Sequence, residues 1–184
     1  FKNESLSTHA ENTFKNSSKT SITDQKNNTR TRYYSWKYSG KEYYLKINLN
    51  NSIYDSYKNK DISPVRVQGN INYRQFLRHD HAEGLFSKLA YKLRDTALKN
   101  SLTQDQLAEL TVAFVQSIPY DHELARRIEN QATLPKHPYE VLYEKSGVCS
   151  GKSFLTVLLL DELDFGTCLF RFDRAKHMMA GIKC

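Results

Sequence analysis

The sequence contains few of the features that define several common classes of protein. Only three of its 184 residues are cysteines, at positions 149, 168 and 184. An odd, scattered set of this kind does not form a disulfide framework. The longest largely apolar run, 154–160, is far shorter than the roughly 20 residues needed to cross a bilayer. We therefore exclude a disulfide-rich miniprotein and predict no transmembrane segment.

Dense basic blocks and metal-ligand motifs are also missing. The formal net charge is +7, but the lysines and arginines are spread along the chain, so we predict no nucleic-acid partner. His79-Asp80-His81 can be joined by His122 or His137, but the spacing of a usual ligand set is not present. We interpret the triplet as a solvated turn, and we predict no metal and no cofactor.

The composition divides the chain into three regions. Residues 1–30 are rich in Ser, Thr, Asn and Lys with very few large apolar side chains, which predicts a polar tail or linker. Residues 31–75 begin with two alternating, aromatic-rich runs around Ser39-Gly40-Lys41, the pattern of a β-hairpin. This hairpin either packs on the main domain or displays a stacking platform for carbohydrate or peptide. Residues 76–184 carry the pattern of the core domain.

The first part of the core reads as helical. Apolar residues recur at three-and-four spacing over 81–99, which predicts an amphipathic helix. Thr103 with Gln106 has the form of a capping box and opens a second helix that Pro119 ends. The polar stretch 120–136 is predicted to be a long loop, which often borders a cleft.

The second part of the core combines helices with strands. Pro138 begins a short helix, and Cys149 opens an apolar helix that faces a core on most sides. Strand patterns follow at 167–172 and 177–182. This order predicts an α+β domain whose antiparallel sheet packs on the Cys149 helix.

The position of Cys149 is suited to a nucleophile. A helix N-terminus favours the thiolate, because unpaired backbone N–H groups and the helix dipole stabilise negative charge there. A base must lie within hydrogen-bond reach, and His177 at the head of the last strand is the best candidate. The alternative is a cysteine that acts as a small hydrophobe and a histidine that is structural.

Five ordered pieces of sequence agree with one known family. They are Phe-Val-Gln-Ser-Ile-Pro-Tyr-Asp at 114–121, Pro-Tyr-Glu-Val-Leu at 138–142, Gly-Val-Cys-Ser at 147–150, the Leu-rich helix that follows, and His-Met-Met-Ala-Gly-Ile at 177–182. The set resembles the transglutaminase-like superfamily of papain-type cysteine hydrolases and acyltransferases. The hairpin and 53–57 resemble the extra N-terminal β region of some prokaryotic, bacterial or archaeal, members.

The resemblance implies a function as well as a fold. It implies cysteine-dependent acyl transfer on peptide, isopeptide or amide bonds, with hydrolysis preferred to cross-linking. Cys149 would be the nucleophile, His177 the base and Gln116 an oxyanion-hole donor, although Gln116 can equally be a solvent-facing helix residue. The partners implied are protein or peptide substrates, including cell-wall peptide, in an extracellular or cell-envelope location. The alternative function is a catalytically inert binding or scaffold module at the cell surface.

The family also uses a third catalytic residue, an Asp or Asn on the strand after the histidine. The chain stops at Cys184, so this residue is expected in a continuation of the chain or on a partner strand, unless the site is degenerate. Asp173 lies on the wrong side of His177 to fill the role. The core is thus expected to be without its C-terminal strands, and the open sheet edge would favour a strand-swapped homodimer.

Overall fold

The computed structural model describes residues 28–59, 66–67, 70–78, 82, 84–130 and 133–183. In chain order these residues form β1 (Thr29–Tyr38), β2 (Lys41–Asn50), α1 (Asn51–Lys58), β3 (Arg66–Val67), β4 (Asn70–Ile71), a 3₁₀ helix (Tyr73–Leu77), α2 (Leu85–Lys99), α3 (Gln104–Gln116), α4 (His122–Glu129), α5 (Pro138–Glu144), α6 (Cys149–Asp161), β5 (Thr167–Phe172) and β6 (His177–Ile182). Among the described residues the strands form separate two-stranded antiparallel sheets, in which β1 pairs with β2, β3 with β4 and β5 with β6. The fold class is α+β, as predicted. Most of the predicted tail, the 79–81 triplet and Cys184 lie outside the described residues.

The first hairpin packs on the helices, which is the first of the two alternatives from the sequence. Its turn places Ser39 and Gly40 at positive φ, as a tight two-residue hairpin requires. The inner face is buried and consists of Tyr34, Trp36, Tyr43, Leu45, Ile47 and Leu49. Phe114 of α3 joins this face, because its ring lies 5.3 Å from that of Tyr34 and 5.1 Å from that of Trp36.

Two helices were missed by the sequence patterns. The segment 51–58, which the resemblance associates with a β region, is helix α1, and the Asn50 side chain caps it by accepting the N–H of Ser52 at 2.8 Å. The predicted loop 120–136 contains helix α4, where Asp121 accepts the Leu124 N–H at 2.9 Å. In both cases a side-chain oxygen satisfies a backbone donor at the helix start, which favours helix over loop.

Helix α6 is the centre of the domain, as its apolar sequence predicts. Ten of its residues are buried, including Phe154, Leu155 and Leu159 with no exposed surface. It contacts α2, α3, α5, the 3₁₀ helix and both strands of the last hairpin. Burying an apolar side chain of this size contributes about 1.5–3 kcal/mol, so the buried side chains of α6 are a large source of stabilisation in the core.

The β5–β6 hairpin lies along α6, as predicted for the sheet beside the Cys149 helix. The Ser153 hydroxyl donates to the Met178 carbonyl at 3.0 Å, and Met178 packs with Phe154 and Phe76 in a small apolar cluster. At the far end of β6, the Lys183 N–H donates at 2.8 Å to Gly166, beyond the end of α6. Strand β6 therefore runs in the same direction as α6, and its first residue lies toward the helix N-terminus.

Candidate active site

Cys149 begins helix α6 and is partly exposed to solvent. Val148 precedes it in an extended conformation and offers no side-chain cap to the first-turn N–H groups. A helix that begins without such a cap leaves those donors available for an anion. The placement at the helix start agrees with the position expected of a thiolate nucleophile.

Cys149 is held beside the segment that follows α3. Gly147 and Tyr120 form a parallel bridge, in which the Gly147 N–H donates to Pro119 O and the Asp121 N–H donates to Gly147 O, both at 3.2 Å. This bridge is made two residues before Cys149. It brings the Tyr120 side chain to the start of α6.

The Tyr120 phenol interacts with both the sulfur and the backbone N–H of Cys149. Burial raises the pKa of Tyr120, and the sulfur raises it further, while the N–H of Cys149 opposes the shift. The phenol therefore stays protonated at neutral pH and can donate a hydrogen bond. Tyr120 was not predicted as a site residue, although the resemblance motif at 114–121 contains it. The ring of His122 packs edge-on against Tyr120, with centroids 5.0 Å apart.

A partly buried ion network around Lys136 stabilises the Tyr120–Gly147 bridge. The Lys136 ammonium is 2.6 Å from Asp121 and 2.8 Å from Glu144, and only 11% of the Lys136 side chain is exposed. It also donates to Ser146 Oγ at 2.7 Å. Lys136 thus links the residue after Tyr120 to the residue before Gly147, and so holds together the two strands of the bridge.

Two glycines near Cys149 have a packing role. A Cβ on Gly147 or on Gly151 would lie 3.1 Å from a methyl group of Val141, and one on Gly151 would also lie 3.1 Å from the Lys136 carbonyl. Both glycines let α5 approach the start of α6, and Gly151 also lets the Lys136 carbonyl approach it.

His177 lies at the Cys149 end of α6, but its side chain is exposed on the other face of the hairpin. Side chains alternate along a strand, and Met178 is the neighbour that faces α6. His177 therefore shares the outer face with Phe172, its partner in register. Between Cys149 and His177, both of which the structure describes, there is no hydrogen bond. The structure brings the two residues to one end of the domain and leaves their side chains apart.

Gln116 is the last residue of α3 and is exposed. Its backbone carbonyl accepts a hydrogen bond from the Lys152 ammonium at 3.0 Å, and the Ile118 carbonyl accepts another at 2.7 Å. Burial lowers the pKa of Lys152. These bonds join the end of α3 to the first turn of α6. The role of the Gln116 side chain as an oxyanion donor stays a prediction, and Tyr120 is a second candidate that reaches Cys149 itself.

The chain matches no family model, no curated protein and no solved structure. Within the described residues, no group of three or more His, Cys, Asp and Glu side chains is arranged to hold a metal ion. None of the helices in the described ranges is long and apolar enough to cross a membrane. The function is therefore inferred from the geometry around Cys149.

Proposed function

We propose that the protein is a transglutaminase-like cysteine acyltransferase that acts on peptide, isopeptide or amide bonds, with water as the default acceptor. The observation that carries the proposal is the partly exposed Cys149 at an uncapped helix N-terminus with the Tyr120 phenol beside it. His177 is delivered to the same end of the helix by the course of β6. The papain-like arrangement of helix and sheet is part of this proposal.

The chemistry would proceed through a thioester. The Cys149 thiolate attacks the acyl carbon, the amine leaves after taking a proton from the His177 imidazolium, and water activated by His177 then hydrolyses the thioester. The carbonyl oxygen becomes negatively charged in each step. The Tyr120 hydroxyl and the Cys149 N–H would be the donors that stabilise that oxyanion.

His177 must move toward the sulfur for this mechanism to operate. Its side chain is exposed at the first residue of β6, next to the 173–176 turn, so a shift of this turn must accompany rotation about χ1, and no core packing of His177 opposes the movement. Catalytic hydrogen bonds are often absent in a free enzyme and form only with substrate. The separated side chains are compatible with catalysis under this condition.

The first test is the rate of iodoacetamide alkylation followed by mass spectrometry at pH 6. We expect Cys149 to react at least about tenfold faster than the exposed Cys168, because Cys149 lies at a helix N-terminus, whose N–H groups stabilise negative charge on the sulfur, and Cys168 lies in a strand. His177→Ala should remove most of that difference. His122→Ala is the matched control, since His122 is also exposed and is the rival imidazole beside Tyr120.

Each outcome assigns the base or rejects the enzyme. A loss with His122→Ala and none with His177→Ala would replace His177 by His122 in the mechanism. Equal, slow alkylation of both cysteines would contradict acyl transfer. The inert cell-surface binding module would then be favoured, and the absence of a Cys149–His177 hydrogen bond between these two described residues is the observation that supports that alternative.

A further inference from the structure

The outer face of the β5–β6 hairpin is apolar and exposed. In the antiparallel register Phe170 lies opposite Met179 and Phe172 lies opposite His177, so all four side chains share the face turned away from α6. Phe170 is 50% exposed, Phe172 45% and Met179 46%. Single exposed apolar side chains are ordinary, but a contiguous group of them marks an interaction surface. We call these four residues the outer hairpin face.

Gly181 gives this surface its flat shape. A Cβ on Gly181 would lie only 2.5 Å from the Phe170 ring and 2.9 Å from the Cys168 sulfur. The ring of Phe170 therefore lies over the glycine, across the strand. An aromatic ring in that position presents its opposite side to solvent, where it can contact an apolar side chain.

Positive charge borders the outer hairpin face at its turn. Arg174 and Lys176 are exposed in the turn between the two strands. Arg171 is 2.6 Å from Asp173, so these two charges offset each other. The turn thus presents two cationic side chains next to His177, which complements an acidic group on a partner.

The hairpin can also accept an additional strand. Among the residues that the structure describes, β5 and β6 pair only with each other, so each has an outer edge. An extended peptide can pair with such an edge through its backbone while alternate side chains contact the sheet face. The side chains on one face of such a peptide repeat every two residues, which matches the spacing of Phe170 and Phe172 along β5.

We propose that the outer hairpin face binds an extended peptide that carries apolar side chains followed by an acidic residue. The apolar side chains contact Phe170 and Met179, and the acidic residue lies toward Arg174 and Lys176. The binding preference itself does not require catalysis, because His177 and the turn are present whether or not Cys149 reacts.

The test is fluorescence anisotropy with the full chain carrying Cys149→Ala, so that no turnover occurs. Three dye-labelled peptides of equal length are compared: one apolar and acidic, one with Ser in place of the apolar residues, and one with Lys in place of the acidic residue. We expect the first to bind about tenfold more tightly than either of the others. Added salt should weaken the acidic contribution more than the apolar one.

Matched substitutions locate the binding surface. Phe170→Ser and Lys176→Glu should each weaken binding of the first peptide about tenfold. Leu98→Ser and Lys41→Glu are the controls, because Leu98 is 72% exposed on α2 and Lys41 is exposed in the first hairpin. All four positions are exposed, so circular dichroism should show the folded spectrum in every variant.

The outcomes separate this proposal from the proposed function. Equal binding of the three peptides, or the same loss in Leu98→Ser as in Phe170→Ser, would overturn the peptide site. A dimer in sedimentation velocity that Phe170→Ser converts to monomer, without peptide binding, would assign the face to a second copy of the chain and also overturn it. Peptide discrimination combined with slow Cys149 alkylation would keep the binding site and reject only the enzyme.

Discussion

Replacing Phe114 by Ala is expected to lower the free energy of unfolding by about 3–5 kcal/mol. Phe114 has no exposed surface, and its ring contacts both Tyr34 and Trp36 of the first hairpin. The substitution removes the apolar contact between α3 and β1 and leaves a cavity there. Equilibrium urea denaturation followed by circular dichroism measures the change.

The matched control for Phe114→Ala is Leu98→Ala. Leu98 is 72% exposed on the neighbouring helix α2, so its truncation creates no cavity and should leave the urea midpoint nearly unchanged. A loss of less than about 1 kcal/mol for Phe114→Ala would mean that the hairpin does not depend on α3 for its position.

Lys136→Met is expected to destabilise the protein by about 3 kcal/mol, because removing one partner leaves partly buried charges uncompensated. The side chains of Asp121 and Glu144 are only 20% and 26% exposed. The substitution should also loosen the Tyr120–Gly147 bridge, so Cys149 alkylation should change along with stability. Urea denaturation and the alkylation assay measure the two effects.

The pH dependence of this effect follows from the pKa shifts. Burial alone would raise the pKa of Asp121 and of Glu144, but hydrogen bonds from Lys136 and other donors outweigh it, and both pKa values are lowered. The stabilisation is therefore fully present above the carboxyl pKa values of the unfolded chain, which are about 4. It is lost as the pH falls through the lower pKa values of the folded protein. Burial lowers the pKa of Lys136, but its hydrogen bonds to Asp121 and Glu144 outweigh burial, so the pKa is raised. The contribution of the Lys136 charge to stability is therefore lost only when the pH rises through this raised pKa.

The difference in stability between wild type and Lys136→Met should thus be widest near neutral pH and narrow below about pH 4. Lys99→Met is the control, since Lys99 forms a solvent-exposed pair with Asp95 at 2.7 Å. Exposed pairs contribute little, so this variant should behave like wild type at every pH. A constant difference across the acid range would contradict the ion network as the cause.

Patterns that depend on near neighbours predicted much of the fold. The Thr103–Gln106 capping box is present with both hydrogen bonds, at 3.2 and 2.9 Å. Pro138 begins α5 as expected. Both terminal strands have the predicted bounds, 167–172 and 177–182. These signals act over at most a few residues, so the surrounding structure did not override them.

The helices that were missed had weaker local signals. In 51–58 the tyrosines and Ile53 favour a strand by composition, but the Asn50 cap and the packing of Tyr57 in the core decide for a helix. In 122–129 the polar composition resembles a loop, and Leu124 is the buried residue that anchors it. Tertiary burial outweighed composition at both places.

The parts of the candidate site that could not be predicted from the sequence depend on contacts between distant parts of the chain. Cys149 and its helix were predictable, because a helix start can be recognised locally. Tyr120 approaches Cys149 because it pairs with Gly147, which is more than 20 residues away in the sequence. Lys136 has its bridging role because it binds Asp121, which is 15 residues away. The His177 side chain points away from α6 because its neighbour Met178 packs in the core, and adjacent side chains of a strand lie on opposite faces.

The indole of Trp36 provides a natural optical probe. Trp36 is the single tryptophan of the sequence, and it is 4% exposed between Tyr43 and Phe114. Its Nε1–H has no hydrogen-bond partner within the described part of the chain. An indole in such surroundings emits at short wavelength, and water would shift the emission to the red. Tryptophan fluorescence therefore monitors one event selectively, the separation of the first hairpin from α3, because the Cys149 end of the molecule contributes no tryptophan.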